Sequence, residues 1–251
     1  MNISLAAEPL FHIGGFPVTN SLLISWVVLI LLISIGLIVK KKLSLIPRGI
    51  QNVTETIFEA LLDLMDGVTQ SRKQSIKFFP IVVTIFLFVI LSNWMGLLPG
   101  MGTIGLMEEH HGEMVLVPFI RAASADLNMT LALAVISVIA VQFFGIAAIG
   151  LKKYAGKFFV SPFKKPYFIG TFVGVLELIS ELSRLLSYSF RLFGNIFAGE
   201  ILLTVMLFLV PYLIPLPFLM LEIFVGFVQA LVFSILTLVF MKMATVEHAE
   251  H

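Results

Sequence analysis

Six ionisable side chains stand inside stretches that are otherwise apolar: Glu177, Glu181, Arg184, Arg191, Glu200 and Glu222. A charge near the centre of a membrane helix costs at least about 2.5 to 3.5 kcal/mol, so such groups usually face a cavity or a partner. Carboxylates at that depth can take up and release protons, because desolvation favours their neutral form. A guanidinium stays protonated at physiological pH and relays protons poorly. On a helical wheel at about 100° per residue, Glu177, Ser180, Arg184, Ser187, Arg191 and Asn195 form one polar stripe, while Glu200 falls on the opposite side from Arg191. At about 1.5 Å per residue, Glu177 lies roughly 21 Å along the axis on one side of Arg191 and Glu200 roughly 14 Å on the other. Glu222 and Gln229 share a face of the next apolar helix. The arrangement reads as two proton-accessible compartments separated by a fixed positive charge. The same stripe also fits a plain packing role, with Glu181 and Arg184 as an i,i+3 pair.

The elements that must position these groups follow from composition. Of 251 residues, 59% are hydrophobic and 12% charged, and the mean hydropathy is +1.06. That excludes a disordered chain and an ordinary water-soluble core. Sixteen Lys and Arg against fifteen Asp and Glu leave no basic excess for nucleic acid. With no cysteine there is no disulfide, thiolate nucleophile or Cys-ligated metal.

A spanning helix needs about 20 apolar residues, and five stretches qualify, at 20–39, 78–98, 126–150, 167–210 and 218–243. Lys40, Lys41 and Lys42 follow the first span instead of preceding it, the reverse of a cleaved signal peptide, and put residues 1–19 outside. Residues 48–77 read differently. Ile50, Val53, Ile57, Leu61, Met65 and Val68 recur at helical spacing among Glu55, Glu59, Asp63 and Asp66, giving an amphipathic helix that lies on the membrane or packs flat. Pro47 precedes it, and Arg72, Lys73 and Lys77 keep its end on the basic side. Pro99-Gly100 closes the second span, and the external loop 99–125 carries Glu108, Glu109, His110, His111 and Glu113 with Arg121 as its one basic residue. Asp126 offers an N-cap for the third span, most simply a cap; Ser92 and Asn93 read as helix-packing groups.

After Lys152, Lys153, Lys157, Lys164 and Lys165, the fourth segment is about twice as long as the hydrocarbon core is thick, so it must tilt strongly or break. Pro211, Pro215 and Pro217 end it; Lys242 and the tail 244–251 are expected inside. The expected fold class is therefore an all-α integral membrane protein, a single membrane domain with no internal repeat: five membrane-embedded segments and one amphipathic helix, the last two membrane segments long and strongly tilted.

The run Ser189-Phe190-Arg191-Leu192-Phe193-Gly194-Asn195-Ile196-Phe197-Ala198-Gly199-Glu200 closely resembles the signature of the a subunit of rotary F-type ATP synthases. The resemblance extends to Glu177 in Glu-Leu-Ile-Ser, to Gln229-Ala230 and to Asp126-Leu127-Asn128, and covers essentially the whole chain. It implies a proton-translocating stator subunit seated against a ring of c subunits, each with one membrane carboxylate, and held with b-type peripheral stalk subunits in the larger complex. Arg191 would be the essential arginine that attracts ring carboxylates and blocks leakage between two offset half-channels. Asn195, Glu200, Glu222 and Gln229 match the outer half-channel, and Glu177 with Ser180 the inner one. Some members carry His where this chain has Glu222, with related changes near Glu200; Glu at both places removes a group that could titrate near neutral pH without desolvation. The last two segments would lie tilted along the ring, in a bacterial inner membrane.

No G-x-x-x-x-G-K-[ST] loop occurs, so nucleotide chemistry is expected in a partner, with no catalytic site, cofactor or metal in this chain. Two other readings compete. A standalone channel or secondary transporter would be expected to show paired repeats. A membrane enzyme would need the loop carboxylates and histidines as a metal site, although adjacent histidines cannot both point one way on a regular helix.

Overall fold

The computed structural model describes residues 7–41, 43–44, 46–98, 104–110, 113–119, 121–156, 169–210 and 213–246. Lys42, Pro99-Gly100, His111, Lys157, Lys164, Lys165, Tyr167, Pro211 and the tail from Glu247 lie outside these. Five helices are long and apolar enough to cross a membrane: α1 (Asn20–Lys41), α3 (Arg72–Met95), α4 (Leu127–Ile149), α6 (Ile169–Leu209) and α7 (Pro215–Thr245). The chain is an all-α integral membrane protein. Between them stand α2 (Ile50–Thr69) and the short α5 (Leu151–Ala155). Two hairpins, β1 (Pro9–Ile13) with β2 (Phe16–Thr19) and β3 (Gly105–His110) with β4 (Glu113–Pro118), were not expected from the sequence. The first turns through Gly14 and Gly15, both at positive φ, which glycine adopts without a Cβ clash.

Helix α7 packs on α2, α3, α4 and α6, and α3 joins it to α1 and α2. Val83, Phe86, Val89 and Ile90 of α3 share one buried core with Ile24 and Val28 of α1, Leu133 and Ala134 of α4, Leu192 and Ile196 of α6, and Ala230 and Phe233 of α7. Asn93 and Trp94 donate to the carbonyls of Gly226 and Ile223 on α7, each at 3.1 Å. Gly226 permits that approach, since a Cβ there would sit 3.2 Å from the Cβ of Asn93. Asn93 therefore packs helices together, as its position suggested.

The amphipathic segment is shorter than the pattern predicts. It stops at Thr69 because Gln70 turns left-handed, at φ 57°, and returns its N–H to the Asp66 carbonyl. Arg72, Lys73 and Lys77 instead form the first turns of α3. Arg72 reaches back to Asp66 at 2.7 Å and Asp63 at 3.2 Å, and hydrogen bonds from Ser75 and Arg72 hold the Asp66 carboxyl below the usual range. Of the apolar stripe, Leu61 and Met65 are buried, whereas Ile50, Val53 and Ile57 are exposed. The last helix starts earlier than predicted, with Pro215 and Pro217 in its first turn, where a missing N–H breaks no hydrogen bond. Helix α6 is unbroken through 41 residues, about 61 Å at the standard rise.

Candidate functional site

The carboxylates of α6 and α7 divide into two groups, with Arg191 between them along α6. Toward the start of α6, the Glu181 carboxylate pairs with Arg184 at 2.7 Å, and the Arg184 guanidinium lies 3.8 Å from the ring centroid of Phe240 on α7. That pair joins two helices and meets the packing role foreseen for it. Glu177 is half-buried, and Ser180 is exposed one turn further. Tyr154 of α5 stands among these charges; its hydroxyl donates to Gln142 at 2.5 Å, and burial, reinforced by Glu181, pushes its phenol up.

Arg191 is exposed, and its Nη2 makes one long contact, 3.4 Å, to Ser187 Oγ. Among the described residues no carboxylate forms an ion pair with it. Asn195, also exposed, donates to the Arg191 carbonyl at 3.0 Å. Beneath this exposed face Leu192 and Ile196 are buried in the core and Ser189 bonds Thr130 of α4 at 3.0 Å, so the stripe is held outward by packing on its other side.

The second group is at the far end of α6. Glu222 is 6% exposed, and its carboxyl lies where a Cβ on Gly199 would stand. Glycine at 199 thus lets Glu222 meet α6 beside Glu200. Glu200 in turn meets Arg121: the guanidinium Nε lies 3.1 Å from each carboxylate oxygen. Gln229 is half-buried on α7 and shares no hydrogen bond with Glu222. The structure thus sets the Glu222 carboxyl against Gly199 and pairs Glu200 with Arg121, leaves Arg191 and Asn195 on a separate exposed face, and keeps Glu177 and Ser180 at the opposite end.

Arg121 is the residue that sequence reasoning missed. It had counted only as the one basic residue of an acidic loop, yet its side chain is 5% exposed and pairs with a residue 79 positions away. Its distance of five residues from the start of a span was the available signal. Asp126 does cap α4, accepting from the Asn128 N–H at 2.9 Å, and its other oxygen accepts from Ser21 Oγ of α1 at 2.7 Å. Among the described residues no three His, Asp or Glu side chains converge as a metal site; His111 of the loop cluster is outside them.

Comparison with known proteins agrees across the chain. The family model described as ATP synthase A chain matches residues 22–242. ATP synthase subunit a of Moorella thermoacetica is 33% identical over 232 residues, covering 92% of this chain and 93% of that one. The subunit a of Campylobacter jejuni subsp. doylei is 35% identical over 241 residues, with 96% and 91% covered. The chloroplastic subunit a of Stigeoclonium helveticum is 36% identical over 237 residues, with 93% and 88% covered.

Proposed function

Since the chain belongs to the ATP synthase A chain family, a membrane-sector component of the F-type ATP synthase complex, we propose that it conducts protons through two offset half-channels and couples their flow to rotation of a c-subunit ring. The observation that carries this reading is Arg191, an exposed guanidinium at mid-helix with no carboxylate paired to it among the described residues. A permanent charge in that position calls for a partner. A ring carboxylate arriving ionised supplies one; protonated, it is released to turn into lipid.

Glu200, paired with Arg121, and Glu222, seated against Gly199, form the outer proton path together with Asn195 and Gln229. Glu177 and Ser180 serve the inner path. Arg191 stands between and denies protons a direct route, because it cannot give up its own. Each charge crossing 100 mV supplies about 2.3 kcal/mol, passed by rotation to nucleotide-binding partners. The chain itself is non-catalytic.

The unbroken α6, about twice the thickness of a roughly 30 Å hydrocarbon core, lies inclined along the ring, with α7 beside it. The N-terminus is outside and the C-terminus inside a bacterial inner membrane, and α2 rests on the inner surface with Ile50, Val53 and Ile57 toward lipid. The b-type stalk subunits hold the chain against rotation.

The decisive experiment is ATP-driven acidification of inverted vesicles carrying the assembled complex, comparing Arg191→Ala with the unmodified protein and following passive leak. Loss of pumping with intact assembly supports the separator, and added leak supports its barrier role. Pumping at the unmodified rate would make Arg191 structural and end this mechanism.

A further inference from the structure

We propose that Glu8 is the proton-collecting residue of the outer half-channel: held at the outer mouth by the β1–β2 hairpin, its carboxylate draws protons from the outer solution and passes them to Glu200. The inference rests on the readings of Glu200 as an outer relay group and of the N-terminus as external.

The hairpin fixes where Glu8 stands. Glu8 is the residue before β1, and its carbonyl accepts from the N–H of Asn20, the first residue of α1, at 3.2 Å. The ladder continues that pairing, with Pro9 opposite Thr19 and Phe11 opposite Val18. Leu10 is 7% exposed and Val18 1%, so the hairpin packs on the bundle. From Asn20 the contacts run on toward Glu200. The Asn20 amide donates to the Pro118 carbonyl at 3.3 Å, and Ser21 donates to Asp126 at 2.7 Å. Asp126 also caps α4. Ala122, on the same segment, packs so closely on Gly96 of α3 that a Cβ at 96 would lie 2.9 Å from the Ala122 Cα. Three helices therefore brace the segment whose Arg121 Nε lies 3.1 Å from both Glu200 oxygens. Glu8 and Glu200 thus stand at the same end of the molecule, and the field of Glu8 reaches the Glu200 carboxylate.

The surroundings of the two carboxylates order them. Glu200 is paired with Arg121 and keeps a third of its side chain exposed. Glu8 is half-buried, and among the described residues no ion pair or hydrogen bond engages its carboxylate. The neighbouring elements carry further charged groups: His12 on β1, Arg121 and Asp126 on the braced segment, and Glu108, Glu109, His110 and Glu113 on the β3–β4 hairpin that ends at Pro118. Asp126 is engaged by Asn128 and Ser21. A carboxylate at a mouth concentrates cations, protons among them, through its field. Glu8 takes a proton from the outer solution and becomes neutral. It returns to the carboxylate as that proton joins Glu200, which is neutralised in turn, so charge is conserved at each transfer.

The test uses the whole complex in proteoliposomes, measuring ATP synthesis while proton concentration is varied separately on the outer and inner sides. Glu8→Gln is expected to lower the rate about threefold at low outer proton concentration. It should also raise the outer concentration for half-maximal rate by at least about threefold, leaving the inner one unchanged. The Asn20 bond is made by the Glu8 backbone, so the hairpin keeps its anchor in this variant. An unmodified outer half-saturation point, or outer and inner points moved alike, would overturn the proposal. Should Glu8→Gln fail to assemble, Glu8→Cys decides, because the chain has no other cysteine. Alkylation with iodoacetate returns a carboxylate there and is expected to restore the rate, whereas iodoacetamide leaves an amide and is not. Equal rates after the two reagents would sink the proposal. A separate Glu200→Gln complex keeps the readings apart. At full rate it removes the relay role of Glu200 and this proposal with it; a slowed Glu200→Gln beside an unaffected Glu8→Gln keeps Glu200 and ends the role of Glu8.

Discussion

The two arginines Arg121 and Arg191 have opposite surroundings. Arg121 is buried, clamped to Glu200 and braced by three helices. Arg191 is exposed, touches Ser187 at 3.4 Å and pairs with no acid of its own chain among the described residues. The end of α6 near Glu200 thus has its charge paired within the chain, whereas Arg191 at its middle is, on the proposed function, completed by the ring. On that reading a charge satisfied internally serves fold and path together, and one left unsatisfied at membrane depth is where a partner would dock.

The sharpest way to break that contrast is at Arg191 itself. Arg191→Ala is expected to reduce ATP-driven pumping by about a hundredfold or more while changing the stability of the chain by less than about 0.5 kcal/mol, as for an exposed side chain with one weak contact. Acidification rate and detergent unfolding measure the two halves. A destabilised but pumping variant would reverse the roles assigned to the two regions.

Next in size is Gly199→Ala. The added methyl would occupy the place of the Glu222 carboxyl, so either Glu222 leaves α6 or the helices part. Pumping is expected to fall about tenfold with the complex still assembled, since one relocated relay group is a local change. A matching Gly194→Ala, with open space where its Cβ would go, should pump normally. Equal loss in both would mean that glycine matters here for helix conformation and not for access of Glu222.

Much of this was legible before any coordinates. Apolar runs and lysine clusters located the five long helices because membrane length and charge asymmetry are written locally in the chain. The polar stripe from Glu177 to Asn195 was legible for the same reason: a wheel needs one helix only. What the sequence hid is non-local. Arg121 and Glu200 are 79 residues apart, and no periodicity connects a loop arginine to a helix that starts 48 positions later; the packing of Ala122 on Gly96 makes the link. The end of α2 at Thr69 was missed because a left-handed Gln70 is a backbone choice with little residue-type signature, where glycine or asparagine would have announced it.

At the outer end a smaller effect tests the bracing. Asp126→Ala removes the cap of α4 and the Ser21 bond together. A lost cap costs about 1 kcal/mol and leaves a buried hydroxyl without its acceptor, so unfolding in SDS should shift by about 1 to 2 kcal/mol. Because Arg121 hangs from the same segment, pumping should also decline by about twofold to fivefold. Loss of stability with full pumping would show that Arg121 keeps its place without the Asp126 brace.

The smallest effect belongs in the helix interior, away from both regions. Ser137 of α4 and Thr237 of α7 meet at 2.7 Å, both fully buried, and Thr237 also donates to the Phe233 carbonyl at 2.9 Å. Since the Thr237 proton is already used, Ser137 is the donor of the interhelical bond, and Ser137→Ala removes that donor while Thr237 keeps its own acceptor. Such bonds in membrane interiors contribute about 0.6 kcal/mol on average, because the unfolded chain in lipid finds other partners. The expected shift in SDS unfolding is therefore about 0.6 kcal/mol, with pumping unchanged. A shift above about 2 kcal/mol, or any loss of pumping, would place this hydroxyl pair in the proton path or in the bracing of the outer end, and the division between a self-sufficient region and a partner-dependent one would have to be redrawn to include α4.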